Sequence, residues 1–293
     1  MTVRATIMQV APRLTASERK LANAILADYP FTGLQQIQEL AARTGVSAPS
    51  ITRFVSKVGF GGYHDFQRQL IAELKESRRS PLDLMPEKTA TPESDFLGSY
   101  ALRLADLLAT LNSTVPPGEF DSICRLIADP SRNIFVLGGR ITDSIARFLS
   151  MHLQQIRPKV FHLAQNSELW PEDILRMRKQ DVLVLFDVRR YQSDLARLAT
   201  LVRERRKSSI VLVTDKWMSP IARDGDIVVP LPIGSGTAWD TAICLLAFVE
   251  ALIVKVSEAN WPAAKARIEE WDAVRLARPD EIQGQGNGNS DEA

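Results

Sequence analysis

Apolar residues recur at helical spacing through the first eighty positions and then change rhythm. Leu21, Ala24 and Ile25 fall on one face behind Thr15-Ala16-Ser17-Glu18, which has the form of a capping box satisfying orphan amides at a helix start. Ile37, Leu40 and Ala41 repeat the stripe and predict a helix over Leu34–Arg43. It stops at Thr44-Gly45, where glycine suits the left-handed residue past a helix end. Val46-Ser47 opens a third helix, with Ser47 as its expected N-cap and Pro49 tolerated in the first turn. Ile51, Phe54, Val55 and Val58 face inward at i, i+3, i+4, i+7. Ser50, Arg53 and Lys57 face outward, flanked by Thr52 and Ser56.

From Asn133 onward short β-rich runs alternate with helical stretches. The expected strands are Asn133–Gly138, Lys159–Leu163, Asp181–Asp187, Ser209–Asp215 and Asp226–Leu231. Helices are expected over about Thr142–Ile156, Ser193–Arg206 and Ala238–Val256. Near-continuous apolar strands between amphipathic helices are the pattern of an α/β layer with a doubly wound parallel sheet. Such sheets bind ligands beyond the carboxyl ends of their strands, often with an anion at a helix amino terminus.

Two stretches break the pattern. Arg78–Pro92 holds three prolines and no sustained apolar period, so it reads as a linker. The end of the chain is polar and rich in glycine and asparagine, and reads as a disordered tail. The expected organisation is therefore two domains: an all-α bundle over 1–77, a linker over 78–92, an α/β domain over 93–278 and a tail over 279–293. Pro262–Arg278 reads as a terminal helix suited to oligomer contacts.

Composition narrows the class. The chain has 293 residues, 45% hydrophobic and 24% charged, which excludes wholesale disorder. Two cysteines, Cys124 and Cys244, stand far apart in apolar surroundings, against a disulfide framework or zinc site and in keeping with a reducing compartment. No metal site and no cofactor is expected. No secretory signal is read, and the longest apolar stretch, Ala242–Val254, contains Glu250 and is too short for a bilayer. A cytoplasmic location without membrane contact is expected.

Charge is divided unevenly. Residues 1–80 hold eleven Lys/Arg against six Asp/Glu, so a basic module hides inside a chain whose formal charge is only +1. A short helix, a glycine turn and a helix with small polar residues first and basic ones further along make a helix-turn-helix. Small residues let the helix approach base edges, and arginine can donate two hydrogen bonds to guanine. A solvated face on an ordinary three-helix bundle remains the competing reading at this point.

Leu14–Leu74, through LTASERKLANAIL and IQELAARTGVSAPSITRFVSKVGFGGYHDFQ, resembles the amino-terminal domain of RpiR-type, phosphosugar-responsive transcriptional regulators. The turn serine, the Ile51-x-Arg53-Phe54 step and the segment Gly59-Phe60-x-Gly62-Tyr63 carry the likeness. The resemblance implies binding of double-stranded DNA at a palindromic operator by a homodimer or homotetramer. Ser47, Ser50, Thr52, Arg53 and Lys57 are the implied groove or phosphate contacts. Arg43, His64 and Arg68 are weaker phosphate candidates.

Ser94–Ser257 resembles a SIS (sugar isomerase) domain, the usual companion of that helix-turn-helix. Its first phosphate loop reads Gly138-Gly139-Arg140-Ile141-Thr142, where Thr142 keeps a hydroxyl in place of serine and Arg140 replaces glycine. The second loop, normally S-x-S-G-x-T, reads Asp187-Val188-Arg189-Arg190-Tyr191-Gln192. Asp187 repels a phosphate while Arg189 and Arg190 attract one. Three arrangements stay open: arginines clamping an anion with Asp187 accepting sugar hydroxyls, Asp187 paired with an arginine in a closed pocket, or arginines facing solvent.

The candidate ligand set is Gly138, Gly139, Arg140, Thr142, Asp187, Arg189 and Arg190, and the expected ligand is a phosphosugar or other anionic metabolite. The reading is a regulator of a sugar or small-acid operon, not an enzyme. The alternatives are a ligand-free dimerisation scaffold and a sugar-phosphate isomerase. Bases for the latter are few: His152 and His162 sit in structural contexts, Glu168 in a loop and Glu250 in an apolar helix. Trp217, Trp239, Trp261 and Trp271 read as core or interface anchors.

Overall fold

The computed structural model describes residues 2–27, 29–77, 81–84, 95–223 and 225–276. The polar tail and most of the proline-rich linker lie outside these. Inside the expected linker, Pro81–Leu84 forms a helical turn, because proline is at ease in a first turn.

The first block is a bundle of α1 (Val3–Val10), α2 (Ala16–Ala27), α3 (Phe31–Leu34), α4 (Ile37–Thr44), α5 (Ala48–Val58) and α6 (Tyr63–Ser77). The capping box forms: Thr15 N–H donates to Glu18 at 2.8 Å and Glu18 N–H to the Thr15 hydroxyl at 3.4 Å. The expected helix over Leu34–Arg43 is split in two, with α4 beginning after a second capping box between Gln36 and Glu39. Val3, Ile7, Leu21, Ile25, Leu40, Ile51, Phe54, Phe66 and Leu70 share one core. Helix α1 was not anticipated. It is held by Glu73 of α6, which accepts from the Val3 amide at 2.6 Å.

After α7 (Pro81–Leu84) the second block runs α8 (Phe96–Ala109), α9 (Leu111–Thr114), α10 (Pro117–Ala128), β1 (Ile134–Gly138), α11 (Asp143–Ile156), β2 (Val160–His162), α12 (Trp170–Arg176), β3 (Val182–Phe186), α13 (Ser193–Arg205), β4 (Ser209–Asp215), β5 (Ile227–Leu231), α14 (Ile243–Ala259) and α15 (Trp261–Leu276). All five expected strands are present, each within a residue or two of its expected bounds. The long helix begins at Ile243 instead of Ala238, because 234–241 forms a loop closed by the Thr241 amide on Ile233 O.

The sheet is parallel throughout, in the order β2-β1-β3-β4-β5. Alternate residues feed opposite layers. Ile134, Val136, Val184, Phe186, Val211 and Val213 pack with α10, α11 and α14. Phe135, Leu137, Leu183, Leu185, Ile210 and Leu212 pack with α12 and α13. Because β1 neighbours both β2 and β3, chain direction across the sheet reverses there. The crevice beyond the β1 and β3 carboxyl ends is where such sheets hold ligands.

Candidate functional site

The turn between α4 and α5 is made by Gly45, whose φ of 65° is left-handed and whose amide returns to Ala41 O at 2.8 Å. It presents the outer face of α5. Ser47 holds the N-cap position but makes no side-chain cap; its hydroxyl lies 3.0 Å from that of Ser50. Arg53 Nη2 donates to the Ser50 hydroxyl at 2.9 Å, and Thr52 donates to Ala48 O at 3.2 Å. Ser47, Thr52 and Arg53 are exposed. They form a continuous polar strip opposite the buried Ile51, Phe54, Val55 and Val58.

Lys57, the last of the implied DNA contacts, is exposed but already engaged. Its ammonium is ion-paired with Glu18 at 2.7 Å and donates to Arg13 O at 2.9 Å. Hydrogen bonding from Lys57 in turn holds the Glu18 carboxyl below the usual carboxylate range. Arg43 and His64 are exposed, and Arg68 is paired with Asp65 at 2.5 Å.

The second candidate site lies beyond β1 and β3. A Cβ added to Gly138 would meet the backbone of Thr142 and Asp143 at 2.5 Å, so only glycine lets the loop fold back onto the strand end. The Thr142 side chain is turned inward. Its hydroxyl donates to Phe186 O at 2.7 Å and accepts from Gly139 N–H at 2.9 Å. The hydroxyl expected to face a ligand thus stitches the first loop to β3.

The second loop is closed on two buried carboxylates. Asp187 accepts from the Ser219 hydroxyl at 2.5 Å and from Gln192 N–H at 3.3 Å. Burial pushes its carboxyl up to about 7. Asp215, at the end of β4, accepts from Arg189 N–H at 2.5 Å, the Tyr191 hydroxyl at 2.8 Å and Trp217 N–H at 2.9 Å. Burial raises this carboxyl too, and burial followed by the Asp215 charge raises the Tyr191 phenol. The Arg189 and Gln192 amides of this loop are therefore already occupied by the protein's own carboxylates and are not free to wrap a phosphate as amides do in other anion sites. Asp187 pairs with a serine and an amide, so the arrangement in which it pairs with an arginine is not the one formed.

The arginines divide. Arg140 and Arg190 are exposed, Arg190 with a left-handed φ of 65° that strains a non-glycine residue. The Arg189 side chain is only 4% exposed. Its Nη2 meets Asp240 at 2.8 Å, its Nη1 lies 4.0 Å from Glu76 of α6, and its guanidinium stacks 4.4 Å from the Trp217 ring. Lys216 sits 4.5 Å from the same ring. Arg189 Nε and Nη1 have no hydrogen-bond partner. Arg189 borders the hollow but directs its charge at Asp240 and the helical bundle. Gly139–Thr142, Asp187–Arg190 and Gln192 border a hollow of about 120 Å³, so six of the seven expected ligand residues converge, with Gly138 at the strand end behind them.

Sequence reasoning missed Asp215, Ser219, Asp240 and Glu76. Asp215 had one legible signal, since it ends β4 as Asp187 follows β3. The other three come from distant loops and a helix end. Of the catalytic alternatives, His152 is bonded to Phe148 O at 3.0 Å and His162 to Asp143 at 2.9 Å, while Glu168 and Glu250 are exposed. Trp217 is buried, whereas Trp239, Trp261 and Trp271 lie on the surface of the single chain. Among the described residues no cluster of metal-ligating side chains is present and no helix is long and apolar enough to cross a membrane.

Residues 1–77 match the model of the helix-turn-helix domain of the rpiR family, and residues 127–255 match that of the SIS domain. An uncharacterized HTH-type transcriptional regulator of Haemophilus influenzae is 22% identical over 219 residues, covering 73% of this chain and 74% of that one. The sugar isomerase domain of an RpiR transcription factor from Sphaerobacter thermophilus superposes with a TM-score of 0.55 at 20% identity, over 61% of this chain and 99% of that one. The Vibrio vulnificus NanR protein complexed with ManNAc-6P superposes with a TM-score of 0.51 at 18% identity, over 94% of this chain and 99% of that one. These likenesses establish the shared fold.

Proposed function

This chain belongs to the rpiR-type helix-turn-helix regulators that carry a SIS domain, and from that premise we propose that it controls a metabolic operon in response to an anionic metabolite. The head over 1–77 reads a palindromic operator through α5. Residues 93–278 bind the effector and pair protomers into a dimer or tetramer, which sets the half-site spacing. The protein acts in the cytoplasm and is not an enzyme. Effector binding changes operator affinity by favouring one of two head arrangements.

The observation that carries this reading is the hydrogen-bonded Ser47–Ser50–Arg53 strip, with Ser47 and Arg53 exposed and Ser50 half-buried. It follows a left-handed glycine turn on a module whose own core is complete without it. The effector class is supported by Arg140 and Arg190 at the hollow between the two loops, and by the phosphosugar held by NanR on the same fold. The test is selection of operator sequences from genomic DNA with the full chain. Anisotropy titrations with and without phosphosugars and small acids follow. Salt-sensitive, sequence-selective binding that one compound shifts is the expected result. Binding without preference over bulk DNA would remove the regulator reading.

A scaffold reading, in which the SIS domain only pairs protomers, has one observation in its favour: Asp215 and Asp187 already occupy the Arg189 and Gln192 amides of the second loop. Thermal-shift screening separates the two, since a ligand that binds the native state raises Tm.

A further inference from the structure

We infer that Arg189 couples the effector pocket to the DNA-reading head, and that an anion in the pocket competes with Glu76 for its guanidinium. The inference rests on the sensor reading above and specifies how that site is read and relayed.

Three facts meet at this side chain. First, the Arg189 and Gln192 amides of the second loop are held by Asp215 and Asp187, which leaves the arginines at the hollow as its cationic partners for an incoming anion. Second, Arg189 borders the hollow between the loops, yet its charge is directed away, at Asp240 by 2.8 Å and at Glu76 by 4.0 Å. Glu76 stands one residue from the end of α6, the helix that closes the head's core through Phe66 and Leu70. The pocket and the head thus share one cation.

Third, that cation is incompletely satisfied. Nε and Nη1 have no hydrogen-bond partner although the side chain is 4% exposed, an arrangement that is costly for a charged group. At 4.0 Å the Glu76 contact is a charge attraction and not a hydrogen bond. A ligand carboxylate or phosphate that offers two oxygens in the plane of the guanidinium supplies what Glu76 does not. Trp217 stacks against the guanidinium and limits its travel, so a modest rotation serves to exchange one partner for the other.

Competition has a signature that a structural role lacks: removing the competitor tightens ligand binding. Inorganic phosphate is the probe, titrated by calorimetry into the full chain at constant ionic strength. Glu76→Gln is expected to tighten phosphate binding several-fold, and Arg189→Lys to weaken it at least tenfold. Wild-type binding with unchanged affinity in Glu76→Gln overturns the coupling. If the wild type binds no phosphate, the sensor reading fails for that anion, and a second measurement still decides the coupling. In ligand-free protein, hydrogen exchange of the α6 amides should quicken in both Glu76→Gln and Arg189→Lys while β1, β3 and β4 stay protected. Unchanged α6 exchange in both variants overturns it.

Discussion

The Ser219 hydroxyl donates to the Asp187 carboxylate across 2.5 Å, joining the loop after β3 to the loop after β4 beneath the candidate pocket. A carboxylate buried this deeply is stable as an ion only if its acceptors are filled. Here one hydroxyl and one amide do so, and burial still pushes it up to about 7.

The sign of the resulting pH dependence follows directly. Below about 4, Asp187 is protonated in both the folded and unfolded chain. Between there and about 7 the folded protein holds a proton that the unfolded chain has lost, so stability falls as pH rises through that window. Asp215 shifts in the same direction and adds to the slope. Asp187→Asn keeps an acceptor for Gln192 N–H and removes the charge, a gain on the order of 3 kcal/mol above neutrality. Its Tm should exceed the wild type's at pH 8, with the gap closing toward pH 4. Parallel Tm curves for the two proteins would refute the assignment.

Arg53→Ala should cost about 1–3 kcal/mol at a selected operator if the guanidinium reads a base, with little loss on bulk DNA. Anisotropy titrations on both DNAs check this. An equal loss on both would make Arg53 a phosphate contact.

Lys57 supplies a test of opposite sign. Glu18→Gln releases its ammonium from the ion pair, so non-specific DNA affinity at low salt should rise, while the fold loses no more than about 1 kcal/mol. Lys57→Ala should lower the same affinity and reduce the salt slope by about one. If Glu18→Gln leaves affinity unchanged, Lys57 does not reach DNA.

Thr142→Val deletes two buried hydrogen bonds that join the first loop to β3, at a cost of about 1–3 kcal/mol. It should abolish any effector response and leave operator binding without effector intact. Thr142→Ser should restore both stability and response. Chemical denaturation and titration with the effector check the two halves separately.

Gly138→Ala forces a Cβ against the backbone of Thr142 and Asp143, and should destabilise by about 2–3 kcal/mol in denaturant melts. Wild-type stability would mean the loop yields readily.

The strands, the two-domain division and the inward face of α5 were legible because each is written in local periodicity. Ile51, Phe54, Val55 and Val58 could pack only one way. Thr142 and Asp187 were placed correctly at the strand ends, yet their hydrogen-bond partners were not readable. Those partners, Phe186 O and Ser219, come from elements 44 and 32 residues away. Arg189 shows the limit most plainly. Its neighbours in sequence mark it as a pocket residue, and only the docking of α6 brings Glu76 near.

The Arg189 and Gln192 amides, engaged by Asp215 and Asp187, hold the second loop in shape before anything arrives. A ligand that enters such a receptor loses little affinity to ordering the loop backbone, and only arginine side chains have to turn to meet it. On the proposed sensor reading, the duration of the bound state, and with it the length of time a gene stays switched after the metabolite runs low, is then governed by escape from the arginines.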